Sequence, residues 1–341
     1  MPKVLVIATS RYTRGGISAV LKLYEQSEMW KRYHCRWIGT HRDGHVLRKI
    51  WYLIKGMAEF IVLLPFYDIV HIHFSLERSA QRKYPFFRLA KFLGKKTVIH
   101  LHCGSQIDEI WNSVYQTMFE QCDNGLLLSE SLKAKVEAHI GFSEKLKVIY
   151  NPCPRVSDIG EYVKKNYILF SGTLYEGKGY RDLIRAFAKY ADMHSDWKLV
   201  LAGNGEIGFA RELALELGIN DQVQLMGWVS GKTKHEVFSE AKVLCLPSYA
   251  EGFPMAILDA WSYGLPVVTT PVGGIPDVAI DGENMLLFVP GDVEMLARQL
   301  DRVMNDEELR MRLSEESLNM SKNQFNLTTI TEQVAYIYDA L

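Results

Sequence analysis

Two carboxylates, Glu251 and Asp259, stand eight positions apart in the stretch PSYAEGFPMAILDAWSYGLPVVTTPVGGIPDVAIDGENMLLFV, residues 247–289. Pro254 sits where a helix would begin and Gly264 where it would end. Proline lacks an N–H that the first turn leaves unpaired anyway, and glycine takes the left-handed residue after the last turn. Glu251 would stand just before that helix and Asp259 about two turns inside it; eight helical residues rise about 12 Å and turn only about 80° out of register. Both acids could then face one extended ligand. The N–H groups of Gly252, Phe253, Met255 and Ala256 would point the same way, an arrangement that receives an anion or a hydroxyl-rich group. An acid at each end with amides between them suits a phosphate-linked sugar. The plainer alternative is an acid favoured by the helix dipole plus an ordinary solvated aspartate.

Three further sets of residues could do chemistry. Lys178 lies between glycines in GTLYEGKGY. Glycines let the backbone approach a ligand, and the lysine can act as a point charge on a diphosphate; an exposed loop lysine is the bland reading. Gly15 and Gly16 in RYTRGG follow an apolar run and precede helical spacing at Ile17, Val20, Leu21 and Tyr24. That order brings backbone amides to a phosphate, though a tight turn needs no ligand. Histidines 71 and 73 in DIVHIHF, and 100 and 102 in TVIHLH, alternate, so each pair falls on one face of a strand. No Cys, Asp or Glu nearby completes a ligand set, so metal is not expected and His71 and His73 read as structural. His102 is different, because HCGS ends its strand, where ligands gather in α/β folds.

The elements that must position these residues alternate along the chain. Residues 3–10, 68–74, 97–102, 125–129 and 147–150 read as strands of a first domain over 1–150. NPCPRVSDIGEYVKKN, 151–166, reads as a linker. A second domain over 167–327 has strands at 167–171, 197–205, 222–229 and 242–246, then the opening stretch. A last helix covers 328–341. The class is α/β, two doubly wound domains. A chain of 341 residues with 48% hydrophobic content supports two cores. No apolar run reaches a membrane span. Five scattered cysteines without a CxxC spacing, and an N-terminus without a signal-peptide layout, point to a reducing cytoplasm.

The stretch EGFPMAILDAWSYGLPVVTTPVGGIPDVAIDGENMLLF resembles the C-terminal signature of glycosyltransferase family 4 (glycosyl transferases group 1), retaining enzymes of the GT-B fold whose two domains face a cleft. The resemblance implies a nucleotide-sugar donor, UDP-sugar favoured, held by the second domain, and an acceptor held by the first. It implies that the last helix crosses back to the first domain. It assigns Lys178, Gly15 and Gly16 to the donor diphosphate, and His102 to the neighbourhood of the transferred sugar. Glu251 would orient sugar hydroxyls, the 253–255 backbone (Phe253, Pro254 and Met255) would support the ring, and Gly252 would also bind the nucleotide-sugar. Val229 would contact the base. The family carries a glutamate where this chain has Asp259, and often an arginine where it has Thr173. Asp259 would hold the ribose, and at Thr173 a bidentate phosphate contact would be missing or replaced by a hydroxyl hydrogen bond. No cofactor and no metal are expected.

Charge points to the acceptor. Residues 1–150 carry 22 Lys and Arg against 13 Asp and Glu, whereas residues 151–341 carry 17 against 27. Arg48, Lys49 and Lys55 flank Trp51, Tyr52, Phe60, Phe66 and Tyr67. Arg78, Arg82, Lys83, Arg88, Lys91, Lys95 and Lys96 surround Tyr84, Pro85, Phe86 and Phe87. Such stretches could meet an anionic lipid surface; ordinary core helices with solvated lysines are the alternative. The basic residues match no nucleic-acid module. The expected protein is a cytoplasmic enzyme, peripheral on the inner face of the cell membrane. It would move a sugar to a lipid-linked or oligosaccharide acceptor in capsule, exopolysaccharide or O-antigen synthesis. Thr173 and Asp259 favour the rival, a non-catalytic GT-B-shaped partner subunit that binds nucleotide or lipid.

Overall fold

The computed structural model describes residues 1–102, 107–142, 144–157 and 162–341. Residues 103–105 of the HCGS motif and 158–161 of the expected linker lie outside them. The chain divides into two compact units, 1–152 with 325–341, and 153–324.

The first unit is built on β1 (Val4–Ala8), β2 (Arg36–Gly39), β3 (Ile69–Phe74), β4 (Lys96–Leu101), β5 (Asn124–Leu127) and β6 (Leu146–Val148). They pair in parallel in the order β2-β1-β3-β4-β5-β6. β1 and β3 are buried at every position, which is why they read as continuous apolar runs rather than alternating ones. β2 was not expected from the sequence; its four residues are too few for a periodic pattern. Around the sheet lie α1 (Gly16–Tyr24), α2 (Glu28–Arg32), α3 (Val46–Leu63), α4 (Glu77–Phe92), α5 (Ile107–Ile110), α6 (Ser113–Gln121) and α7 (Glu130–Ile140). Ser129 caps α7 by accepting from Leu132 N at 3.0 Å.

The second unit repeats the plan with β7 (Tyr167–Ser171), β8 (Lys198–Ala202), β9 (Val223–Leu225), β10 (Val243–Leu246), β11 (Val267–Thr269) and β12 (Leu286–Leu287), all parallel in the order β12-β11-β10-β7-β8-β9. Its helices are α8 (Tyr180–Ala188), α9 (Ile207–Glu216), α10 (Gly231–Glu240), α11 (Met255–Ser262), α12 (Val293–Asn305) and α13 (Glu307–Lys322). On α8 the buried Tyr180, Leu183, Ile184 and Phe187 follow helical spacing. The strand expected over 222–229 is confined to β9, because a 3₁₀ turn precedes it and Gly227, at φ 66°, soon follows it.

The last helix, α14 (Leu327–Asp339), belongs to the first unit. It buries Ile330, Val334, Ile337 and Tyr338. Arg32 makes two 2.9 Å hydrogen bonds to Glu332, and the Tyr33 hydroxyl donates to Asp339 at 2.7 Å.

The second basic stretch is α4, and it is a core helix. Phe86, Phe87 and the whole Lys83 side chain are buried. Lys91 and Lys96 pair with Asp123, and Lys95 donates to the Tyr67 carbonyl. Lys91, Lys95 and Lys96 are therefore engaged within the unit, whereas Arg78 and Arg88 of the same stretch are exposed. Lys83 donates to Ser79 Oγ at 2.8 Å. Burial, with Arg82 nearby, draws its ammonium down to about 7. The folded-state value lies below the unfolded one, so the unfolded chain binds more protons between them, and stability rises with pH across that window. Lys83→Met should therefore gain up to about 5 kcal/mol near pH 6. Urea unfolding should show that gain shrinking as pH rises above 7; a gain independent of pH would contradict a buried ammonium.

Candidate active site

In the second sheet the strand order reverses between β7 and β10, which pair directly. Loops leaving the C-terminal ends of such neighbours diverge to opposite faces and open a crevice. The β7 loop carries Thr173 and Lys178, and the β10 loop carries Ser248 and Glu251. Lys178 Nζ donates to Glu251 Oε1 at 2.5 Å, and Ser248 Oγ donates to the same oxygen at 2.7 Å. The two charged side chains are mostly covered, 21% and 9% exposed.

Two glycines make this approach possible. Gly179 has φ 66°, and a Cβ there would stand 2.0 Å from the Pro247 carbonyl oxygen. Gly273 has φ 63°, and its Cβ would stand 2.4 Å from the carbonyl oxygens of both Glu251 and Gly252. Backbone bonds complete the seam: Tyr249 N donates to Gly177 O at 3.0 Å, and Gly274 N to Gly252 O at 2.7 Å.

The helix α11 begins at Met255, with Pro254 as its cap residue and no side-chain cap bond. Glu251 lies just before the helix, where the sequence placed it, so the helical spacing does not extend to it. Asp259 is buried in the second turn, where Lys234 Nζ of α10 donates to Oδ2 at 2.6 Å. Burial raises its pKa, and the Lys234 charge offsets part of the rise. Each acid thus has its own lysine. Phe253 and Pro254 are buried, Thr173 is exposed, and Val229 is half-buried. Asn204 holds the segment before Val229 by accepting from Trp228 N at 2.9 Å. Lys234, Ser248 and Asn204 were missed by sequence reading. Lys234 and Asn204 bond across 25 and 24 residues, beyond any local motif, whereas Ser248 stood three residues from Glu251.

Gly15, Gly16 and His102 belong to the first unit. Gly15, at φ 141°, caps α1, and its missing Cβ would meet nothing within 4 Å. His102 follows β4, donating its N–H to Phe74 O at 2.7 Å. Its Nε2 lies 2.9 Å from His73 Nδ1 and its ring stacks 4.2 Å from His100. Burial of the ring keeps His102 neutral. Among the described residues, His71, His73 and His100 also form a group whose nitrogens lie within 4.8 Å of one another.

Residues 156–320 match a family profile described as glycosyl transferases group 1. The match lies within the second unit. It is 30% identical over 241 residues to an uncharacterized glycosyltransferase of Methanocaldococcus jannaschii, covering 66% of this chain and 61% of that protein. It is 28% identical over 231 residues to a Campylobacter jejuni α-1,4-N-acetyl-D-galactosaminyltransferase named for an undecaprenol-diphosphate-linked substrate, covering 66% and 62%. The aligned part thus spans about three fifths of these curated relatives. The fold is that of GT-B glycosyltransferases: Anabaena HepE, solved with UDP and glucose, superimposes with a TM-score of 0.80 at 17% identity, over 100% of both chains. The residues matched to the group 1 profile include Thr173, Lys178, Val229, Glu251 and Asp259.

The glycine seam is directly testable. Gly273→Ala should cost about 3 kcal/mol or more, because a left-handed residue and two carbonyl clashes combine. Gly94→Ala, at φ 67° with open space around its Cβ, should cost only about 1–2 kcal/mol. Equal losses in denaturant unfolding would remove the packing argument.

Proposed function

We propose that this chain is a retaining glycosyltransferase that moves a hexosyl group from a UDP-sugar to a lipid-linked glycan acceptor during surface-polysaccharide assembly. The observation that carries the reading is the Lys178–Glu251 pair at the strand-order reversal, beside the uncapped start of α11. In the reaction the bond from the anomeric carbon to the phosphate oxygen breaks and a bond to the acceptor hydroxyl oxygen forms on the same face. The acceptor proton passes to the departing phosphate. Lys178 leaves Glu251 for the diphosphate, where negative charge grows, and the α11 amides add preorganised donors. Glu251, released but still held by Ser248, turns to sugar hydroxyls. Asp259, kept charged by Lys234, accepts from the ribose. The roles expected for Gly15, Gly16, His102, Thr173, Val229, Phe253, Pro254 and Met255 stand in the same proposal.

Thermal unfolding with UDP, GDP and ADP at equal concentration tests the donor. A nucleotide at 100 times its dissociation constant should stabilise by about 2.7 kcal/mol. The expected result is a shift with UDP that Lys178→Ala abolishes. Glu251→Gln should lower product formation by about 100-fold or more. If neither Glu251→Gln nor Lys178→Ala slows turnover, the catalytic reading fails and the non-catalytic partner takes its place.

The acceptor side of the proposal places the chain at the inner face of the membrane through α3. Leu47, Ile50, Trp51, Ile54, Ile61 and Val62 are exposed and fall on one helical stripe. Arg48 and Lys55 are exposed beside it. Among the described residues no helix is long and apolar enough to cross a membrane. A stripe of this kind lies in the interface plane, and each nearby basic residue adds about 1 kcal/mol on an anionic surface. Co-sedimentation should favour phosphatidylglycerol over phosphatidylcholine vesicles, and Ile54→Glu should lose most of the binding. Equal binding to both lipids by both proteins would exclude this anchor.

A further inference from the structure

β3 and β4 are neighbours in parallel register, with His73 opposite His100 and His71 opposite Val98. His71, His73 and His100 therefore project from one face of the sheet, and all three are fully buried. Four of their ring nitrogens have no hydrogen-bond partner among the described residues: Nε2 of His71, Nε2 of His73, and both nitrogens of His100. A buried polar atom without a partner calls for an ion or a water to complete it. The ligand atoms of the three rings lie within 4.8 Å of one another.

The hydrogen bonds that are present fit one set of tautomers. His71 Nδ1 lies 2.5 Å from the Tyr338 hydroxyl, and His73 Nδ1 lies 2.9 Å from His102 Nε2. With each Nδ1–H donating to these partners, both Nε2 lone pairs are free and His102 Nε2 accepts. This is the outer arrangement that orients metal-bound histidines. Burial keeps all three rings neutral, so they can coordinate without releasing a proton. Two histidines on one strand and a third on its neighbour form a three-imidazole set, a donor chemistry that suits zinc and its neighbours in the first transition row. At Zn–N bonds of about 2.0–2.1 Å, tetrahedral ligand atoms stand roughly 3.4 Å apart. Binding requires the side-chain torsions to bring the ligand atoms from the observed spread to that distance. The Tyr24 ring stands edge-on to His73 with centroids 6.3 Å apart, and its buried hydroxyl has no partner among the described residues.

We propose that His71, His73 and His100 bind one divalent transition-metal ion of the zinc class inside the first unit. Because the site is sealed from solvent, the ion enters as the chain folds, and it ties β3 and β4 to α14 through the His71–Tyr338 bond. Its role is structural, and it does not depend on the proposed transferase activity.

The test is the metal content of the full-length protein, purified without a metal-affinity column or chelator, by elemental mass spectrometry. About one ion per chain is expected. Unfolding with chelator and refolding with Zn²⁺ should restore the melting temperature, and refolding with chelator alone should leave it lower. Refolding with Co²⁺ should give the visible absorption of a low-symmetry nitrogen site. His100→Gln should lose the ion, whereas His194→Gln, a histidine paired with Asp301 in the second unit, should keep it. If His100→Gln does not fold, the wild-type content and refolding decide alone. Wild-type protein holding less than about a tenth of an ion, with a melting temperature indifferent to Zn²⁺, would overturn the proposal in favour of a buried water. So would an ion retained by folded His100→Gln.

Discussion

Gly179 and Gly273 carry no Cβ, and the β7 and β10 loops of the second unit depend on that. The Pro247 carbonyl stands where the Gly179 Cβ would be, and the Glu251 and Gly252 carbonyls crowd the position of the Gly273 Cβ. Only a residue with hydrogen as its side chain admits such contact, and both positions also need a positive φ. The contact brings the β7 and β10 loops within bonding distance, and Lys178 meets Glu251 as a consequence. The strand-order reversal sets where a crevice opens; the glycines set how closely its walls approach.

Charge is distributed inside the two units in different ways. In the second unit, buried carboxylates have cations: Lys178 for Glu251 and Lys234 for Asp259. A paired charge can stay ionised in a covered place. In the first unit, Lys83 is buried with the Ser79 hydroxyl as its hydrogen-bond partner and Arg82 nearby, and a stack of neutral imidazoles lies in the sheet face. These groups raise the electrostatic cost of that core. The lysine meets the cost by losing its proton more readily, and the histidines by remaining neutral.

The surface of α3 is the other departure from an ordinary core helix. Its buried side is narrow, with Gly56 and Phe60 inward and Gly56 packed on the Gly39 carbonyl, while a broad apolar stripe faces outward. The two basic stretches of the first unit looked alike in composition. They differ because α4 packs across the sheet between β3 and β4 and buries its aromatic residues, whereas α3 lies at the β2 edge, with less sheet to cover.

Much was legible in the sequence because it was local. The apolar runs placed most strands to within two residues, Pro254 and Gly264 bounded α11, and the stretch from Glu251 onward carried the family resemblance. Short β2 and the truncated β9 escaped, since three or four residues hold no period. The partners of the acids escaped too. A helical register suggested that Glu251 and Asp259 share a ligand, but the helix starts only at Met255, and each acid turns to a lysine on another element. Likewise, alternation put His71 and His73 on one face and His100 and His102 on another, yet nothing local said that the two faces are the same. That follows from β3 and β4 being neighbours. By itself the sequence determined the elements, the fold class and the family resemblance, because these rest on periodicity and motif along one stretch of chain. Only the tertiary structure decided which charges pair, which lysine is buried and which histidines converge. Those depend on strand order, which joins residues as far apart as Lys178 and Glu251, 73 positions along the chain.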